Sequence, residues 1–476
     1  MGESISLFQT TFNKALHVEA RDDRLTSDAG MVLLRELMDR LGLIDWLVEN
    51  LEDERDPLRV RFALGELLRT RLCMLVMGVE HQNGIVRMAT DPALKLSSTD
   101  GAGASALDEA RLPSQPTLSR LMALLAIPEN LARLNEALVI LAGRSLRAAK
   151  RGQTIPVVLD VDSLVYEVHG HQDGAAYNGQ YGVTAYHPIL AVLGETGDIV
   201  GVWLRPGNAG TAGHVVEFLE MVLPRVEREI GPVKLVRFDA GFPSEPLLAA
   251  LEAWGTPYVA RIRKNSVLDD LADWAKLPEL PPPIDAPRTR FKEIGYRARS
   301  WSRARRVVFV RIDEPGELFS RSFFLVSSRS ADQVPPAALL QDYRRRGCAE
   351  DAFGQWMQAV PPTLSSTNRP KRSIRGEPPV GREEGVDPFA VNQANLLLSA
   401  LAYNLLVALR RPLEEVTQTP MRVETVRAQV LKVAGRVLRH GRQIVLCVAR
   451  SATGLWKALW DEIATLSWRL GSAPEG

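Results

Sequence analysis

Between residues 154 and 264 the chain lays out one order of elements, and that order limits the fold more than any other feature. TIPVVLDVDSLVYEVHG is rich in β-branched residues and alternates apolar with polar, so it reads as a strand. TAYHPILAVL and DIVGVWLRPGN follow as two more strands, separated by the hairpin-turn signal GETGD. HVVEFLEMVLPRVEREI has apolar residues at helical spacing and precedes the strand VKLVRFD. SEPLLAALEAW is a second helix, leading to the strand PYVARIRK. The order is β-β-β-α-β-α-β. Three antiparallel strands followed by β-α units predict an α/β fold, a mixed sheet with helices on its faces. In that order strands one and four are neighbours.

The flanking regions have a different texture. Residues 1–152 read as a mostly helical N-terminal domain, with MVLLRELMDRLGLIDWLVENL and RVRFALGELLRTRLCMLVMGV at helical period and Ser27 and Asp28 as caps. In LPSQPTLSRLMALLA, Ser114 is the expected N-cap and Pro116 sits in the first turn. Residues 153–266 hold the strand-helix series. A β-rich insertion is expected over 267–332, with LPELPPPIDAP as a proline-rich connector and RARRVVFVRID and SFFLVSS as strands. Residues 333–415 return to helix, broken by an irregular, partly basic loop, and include the strongly apolar FAVNQANLLLSALAYNLLVALRR. Residues 416–476 are expected to close the chain with one or two helices.

Composition excludes several classes. A net charge of +1 gives no global basic field, so any polyanion site must be a local patch. Three cysteines, none in a CxxC pair, argue against both a disulfide framework and cysteine-ligated zinc, and fit a reduced, cytoplasmic setting. No signal peptide is recognised at the start, and the apolar runs are interrupted by polar residues, so no membrane association is expected.

Three places concentrate acids where acids are unusual. Asp160 and Asp162 lie within VVLDVDSL, and strand interiors disfavour aspartate. Period-2 alternation puts both carboxylates on one side, about 6–7 Å apart. Otherwise the strand ends early in turn aspartates. Asp239 ends the fourth strand, where open sheets form sites, or caps the following helix. Glu350 belongs to YRRRGCAEDAFGQWM, in which Tyr343, Arg346 and Glu350 fall at i, i+3 and i+7, one face of a helix. Taken alone, Glu350 beside Arg346 reads as a solvated ion pair. Taken together, three converging carboxylates would repel one another unless cations lay between them. Oxygen-only donors select Mg²⁺ or Mn²⁺. Two such ions serve phosphodiester chemistry.

The stretch from DVDSLVYEVHG through VWLRPGN, then RFDAGF, then YRRRGCAE, resembles a DDE transposase of bacterial insertion sequences. It is most similar to the insertion-sequence group numbered 1380, within the superfamily marked by a tyrosine–arginine–glutamate helix. LTSDAGMVLLREL, PSQPTLSRL and NLLLSALAYNLL are similar to the same group, so the resemblance spans most of the chain. It implies an RNase H-like catalytic core, two divalent ions, double-stranded DNA as partner (element ends and target) and a homodimer pairing two ends, in the bacterial cytoplasm and at the nucleoid when on DNA. Carried over by residue, the first acid is Asp160 or Asp162, the second Asp239 and the third Glu350. Ser163, Leu164 and Tyr166 favour Asp160 as the catalytic member, with Asp162 a further metal ligand. Tyr343 and Arg346 are implied to lie beside DNA phosphates.

One position departs from the pattern. The superfamily's lysine seven residues after the glutamate is Met357 here, and methionine makes no phosphate contact. Lys371 or Arg372 is the expected substitute. The departure keeps a metal-dependent nuclease and an inactive DNA-binding relative as alternative readings. Residues 288–306 hold eight Arg/Lys against one Glu with Tyr296 and Trp301 interleaved. Arg297, Arg299, Trp301, Arg303 and Arg305 are therefore expected at DNA.

Overall fold

A computed structural model of the protein describes residues 4–101, 103–149, 153–273, 280, 283–317, 319–367 and 386–466. The chain divides into two compact units. One comprises Met1–Asn130, Gln358–Thr363 and Leu401–Gly476, the other Leu131–Met357 and Leu364–Ala400.

The second unit is built on an eight-stranded sheet. Its strands are β1 (Val157–Ser163), β2 (Ile189–Leu193), β3 (Ile199–Trp203), β4 (Val233–Phe238), β5 (Tyr258–Ile262), β6 (Arg288–Tyr296), β7 (Arg305–Asp313) and β8 (Arg321–Ser327). The spatial order is β6-β7-β8-β5-β4-β1-β2-β3. β1, β2 and β3 are antiparallel neighbours, β4 runs parallel to both β1 and β5, and β8 pairs antiparallel with β5. The predicted mixed sheet is observed, with strands one and four side by side. The strands expected in a separate insertion instead extend this sheet. β7 and β8 offer long apolar runs, and β8 pairs with β5 on one side and β7 on the other, which gives its backbone a ladder on both edges.

The two sheet faces bury different sets. Helices α1 (Val215–Glu229) and α2 (Glu245–Ala253) pack Phe218, Val222, Leu247 and Leu251 against Leu159, Val161 and Phe238. Helix α3 (Pro336–Arg344) packs Leu339 and Leu340 against Val158, Leu235 and Val259 on the opposite face. Val158, Asp160 and Asp162 therefore point toward α3. The outer edge at β3 is blunted by side chains. Asn135 accepts from the Val202 N–H and donates to its carbonyl, and Gln393 donates to that carbonyl and accepts from the Leu204 N–H. A small three-stranded sheet, 166–167, 183–186 and 176–178, fills the connection between β1 and β2.

Helix α4 (Gly347–Ala359) turns Ala349, Ala352, Phe353 and Trp356 inward at helical spacing, and the Trp356 indole N–H donates to Ser399 Oγ at 2.8 Å. Ser399 lies on α5 (Pro388–Thr417), a helix long and apolar enough to cross a membrane by length and composition. Its apolar window is 83% buried inside the protein. The single helix expected through Tyr343, Arg346 and Glu350 is in fact broken: α3 ends at Arg344 and α4 begins at Gly347. The N–H groups of Arg346, Cys348 and Ala349 all bond back three residues rather than four, and Gly347 weakens helix at the break by about 1 kcal/mol.

In the first unit, Gln115–Leu125 starts at Ser114 with Pro116 in its first turn, as expected. Met31–Arg40 begins at Gly30 with no side-chain cap, so neither Ser27 nor Asp28 caps it. Two strand groups appear within the regions read as mostly helical. Ser4–Gln9 pairs with His17–Arg21, and Arg24–Thr26 joins a hairpin of Gly435–His440 and Gln443–Val448. His440 pairs with Gln443, so the hairpin turns on Gly441 and Arg442, and Gly441 holds φ +58. The three cysteines are free.

Candidate active site

β1 places Asp160 and Asp162 two residues apart on the α3 face, and the structure gives them different partners. Asp160 is fully buried and receives both faces of the Arg237 fork, Nε to Oδ1 at 2.5 Å and Nη2 to Oδ2 at 2.6 Å. The β4 register sets Arg237 directly beside it. Arg237 Nη1 continues to the carbonyl of Asp342 on α3 at 2.9 Å. Burial pushes the Asp160 carboxyl up to about 6 against the pull of Arg237, so this pair is costly to hold inside. Gly194, after β2, is required here. A Cβ on it would stand 2.3 Å from Arg237 Nη2 and 2.9 Å from Asp160 Oδ2. Asp160, which the resemblance favoured as the catalytic acid, is thus committed to a strand-to-strand ion pair.

Asp162, Asp239 and Glu350 share another arginine. Arg346, in the break between α3 and α4, sends Nη1 to Asp162 Oδ2 and to Glu350 Oε1, each at 3.0 Å, and Nη2 to Asp239 Oδ1 at 3.7 Å. Asp162 anchors its other oxygen on the Ser163 N–H at 2.8 Å. Asp239 follows β4 directly. It does not cap α2, whose N-cap is Ser244. Glu350 does form the i,i+4 pair with Arg346 that its sequence position suggests, but the same guanidinium reaches two further acids. The Arg346 side chain is 10% exposed and Asp162 17%, against 46% for Asp239 and 64% for Glu350, so the cluster is a partly buried floor with an open rim. Burial raises the Asp162 carboxyl even beside Arg346. Burial works against the Arg346 charge too, yet Asp162, Tyr343, Asp239 and Glu350 outweigh it and raise its pKa. Tyr343 packs against Phe323 with ring centres 6.4 Å apart, and burial raises its hydroxyl pKa.

The donor set fits a hard divalent ion: three carboxylates, no sulfur and no imidazole. Among the described residues no three acids, histidines or cysteines stand close enough together to chelate an ion as they are. The group between them is the Arg346 fork.

Two further residues, His187 and Arg205, hold the segments that adjoin Asp162 and Asp239. His187 Nδ1 lies 2.7 Å from the Ala209 carbonyl and Nε2 3.0 Å from Ser163 Oγ. The carbonyl can only accept, so Nδ1 carries the proton and Nε2 accepts from Ser163. Burial lowers the His187 pKa, which favours the neutral ring over the imidazolium. Buried Arg205 donates to the carbonyls of His187, Gly210, Thr211 and Gly213 and so fixes the glycine-rich loop 206–213. A Cβ on Gly241 would meet Thr211, so this loop lies against the turn after Asp239. The signal for Arg205 was an arginine in front of PGNAGTAG, a loop with few side chains to hold itself in place.

A family model described as "Transposase DDE domain group 1" matches residues 8–371 and 384–467. This chain belongs to that DDE transposase family. No curated protein matches the chain. A solved structure, described as the cryo-EM structure of a piggyBac transposase synaptic complex with hairpin DNA, is similar at 11% identity over 95% of this chain and 87% of that one, with a TM-score of 0.41.

In this DDE-family transposase the stretch expected at DNA splits in two. Arg297 and Arg299 are exposed, and Arg303 is exposed but reaches Glu252 at 2.6 Å. Trp301 and Arg305 turn inward instead. Trp301 packs edge-on to Tyr296 at 5.4 Å beneath the Arg305 guanidinium, and Arg305 bonds Glu245 at 2.5 Å and Glu252 at 2.8 Å. A buried indole offers no platform to a base, so these two hold the β6–β7 turn onto α2. Lys371 and Arg372 lie outside the described residues. The Arg305 contact lowers the Glu245 carboxyl from 4.5 to about 2. A carboxylate depressed in the folded state stabilises above its unfolded pKa and loses that contribution as pH falls. Melting temperature is therefore expected to drop between about pH 4.5 and pH 2 more steeply in the wild type than in Glu245→Gln, as calorimetry at stepped pH would register. Parallel slopes would contradict the assignment.

Proposed function

We propose that this protein is a DNA transposase that cleaves at the terminal inverted repeats of its element and joins the 3′ ends to target DNA. The observation that carries the reading is the convergence of Asp162, Asp239 and Glu350 on one guanidinium, in a chain of the DDE family. The strand order β3-β2-β1-β4-β5, with helices on both faces, supports an RNase H-like core. The sequence resemblance supports a bacterial insertion-sequence origin in the group numbered 1380, and with it a cytoplasmic, nucleoid-associated setting.

Asp162, Asp239 and Glu350 would hold two Mg²⁺ or Mn²⁺ ions. Bound there, the ions would supply Lewis-acid stabilisation of the attacked phosphodiester and of the leaving oxygen. The chain's own residues orient the reaction. β1 and β4 fix Asp162 and Asp239 on adjacent strands, and Trp356 seats the helix that presents Glu350. In cleavage, a water oxygen bonds to phosphorus, the P–O3′ bond breaks and the 3′ oxygen leaves with a proton. In joining, that 3′-OH attacks a target phosphodiester and one ester replaces another, so no energy source and no covalent protein intermediate are needed. Two ends must be cut and joined together, which calls for a homodimer on paired double-stranded ends.

The test is Mg²⁺-dependent reaction of a plasmid carrying both ends of the element. Wild type is expected to nick and to yield strand-transfer products, and Asp239→Ala and Glu350→Ala to yield neither. Cutting without joining would assign a nuclease. Binding without cutting would assign an inactive relative, to which Met357 lends its support.

A further inference from the structure

One positive group serves three negative ones in this cluster. Arg346 Nη1 lies 3.0 Å from Asp162 and from Glu350, and Nη2 3.7 Å from Asp239. A Mg²⁺ ion bonds carboxylate oxygen at about 2.0–2.1 Å and demands near-ideal octahedral placement. An N–H donor pointing at the same oxygen fills the space where such an ion would bind, and its charge repels the ion. Building on the reading of these three acids as metal ligands, we propose that Arg346 is a built-in counter-cation that excludes divalent ions from the site and releases it when a DNA phosphate draws the guanidinium away.

The argument is one of partner exchange. Arg346 is mostly buried, so leaving the acids for bulk water would strand the largely buried Asp162 carboxylate and forfeit charge-assisted hydrogen bonds to Asp162 and Glu350. It leaves at low cost only if the acids gain a cation and the guanidinium gains an anion in the same move. The planar fork of arginine matches a phosphate as well as it matches carboxylates, and the proposed substrate brings that phosphate to the open rim at Glu350. The break between α3 and α4 puts Arg346 on a short turn rather than inside a helix, where its side chain can swing without unwinding one. Metal and DNA affinities are then coupled through one side chain, and the coupling is reciprocal. The ions enter with the substrate, which protects the ligands from idle metal binding.

The experiment is Mn²⁺ binding to the full chain, read from the electron paramagnetic resonance signal of the free ion, with and without a DNA duplex taken from the element's end. Without DNA, Arg346→Gln is expected to bind Mn²⁺ about tenfold more tightly than wild type. With DNA, wild type gains about tenfold and Arg346→Gln stays within about twofold, in the usual range of coupling. Arg329→Gln removes a nearby guanidinium that bonds Asp342 and none of the three acids, and is expected to match wild type. If Arg346→Gln does not fold, Arg346→Lys keeps the charge but loses the fork, and is expected to shift in the same direction by a smaller factor. Equal Mn²⁺ affinity in wild type and the Arg346 variants overturns the inference, as does an equal gain in Arg329→Gln. Binding that is equal in those chains yet lost in Asp162→Asn overturns it while sparing the metal site. No Mn²⁺ binding by any chain overturns both.

Discussion

Asp162→Asn is expected to lose Mg²⁺-dependent strand cleavage by about a thousandfold or more while remaining folded. A metal-borne stabilisation of several kcal/mol is at stake, and each 1.36 kcal/mol is tenfold in rate. Asparagine keeps the shape and one oxygen but removes the charge that Asp162 brings to Arg346 and to any ion. Folding should be spared because Asp162 sits at the end of β1, with two other acids still paired to the same guanidinium. Single-turnover cleavage of an end-bearing duplex, beside a urea unfolding curve, separates rate from stability. Cleavage within tenfold of wild type would remove Asp162 from the site.

Asp160→Ala, two residues away, is expected to show the reverse. Removing it leaves Arg237 charged, buried and without its carboxylate, which costs roughly 3–5 kcal/mol of stability. A chain of ordinary stability has about 5–15 kcal/mol in total, so much of the protein would unfold under mild conditions. Residual activity should track the folded fraction rather than vanish. Replacing both partners together, Asp160→Leu with Arg237→Met, should recover most of the loss, because the desolvation of the pair disappears with its charges. Urea midpoints for the single and double variants decide this. A stable Asp160→Ala chain with no cleavage would return Asp160 to catalysis. Gly194→Ala is expected to mimic the single variant, since its methyl group lands on the same pair.

Much of the core was legible in advance. The β-β-β-α-β-α-β order came from local alternation and helical spacing, signals that depend only on which side of an element meets water. The adjacency of β1 and β4 followed from that order. Asp160, Asp162 and Asp239 stood out because strand interiors and strand ends are poor places for unpaired charge, and Glu350 by its spacing from Tyr343 and Arg346. The failures also have physical causes. Trp301 and Arg305 read as a DNA-stacking patch because a stretch of arginines looks the same whether its partners are phosphates or Glu245 and Glu252, which lie about fifty residues upstream. The hairpin at 435–448 was missed because its ladder to Arg24–Thr26 closes across the length of the chain. The helix through Tyr343 and Glu350 was read as continuous because spacing does not register a glycine break.

The sequence by itself indicated the type of sheet, the common side of β1 that both aspartates share, and the candidacy of Asp160 or Asp162 with Asp239 and Glu350 for one site. Only the tertiary structure gave Asp160 and Asp162 different partners. Both have the same residue type, strand and face, so no local pattern distinguishes them. What separates them is which guanidinium each meets, Arg237 across a strand pair or Arg346 from a turn nearly two hundred residues away. Long-range electrostatic pairing of that kind is fixed by packing, which brings residues together without leaving a trace in their neighbours along the chain.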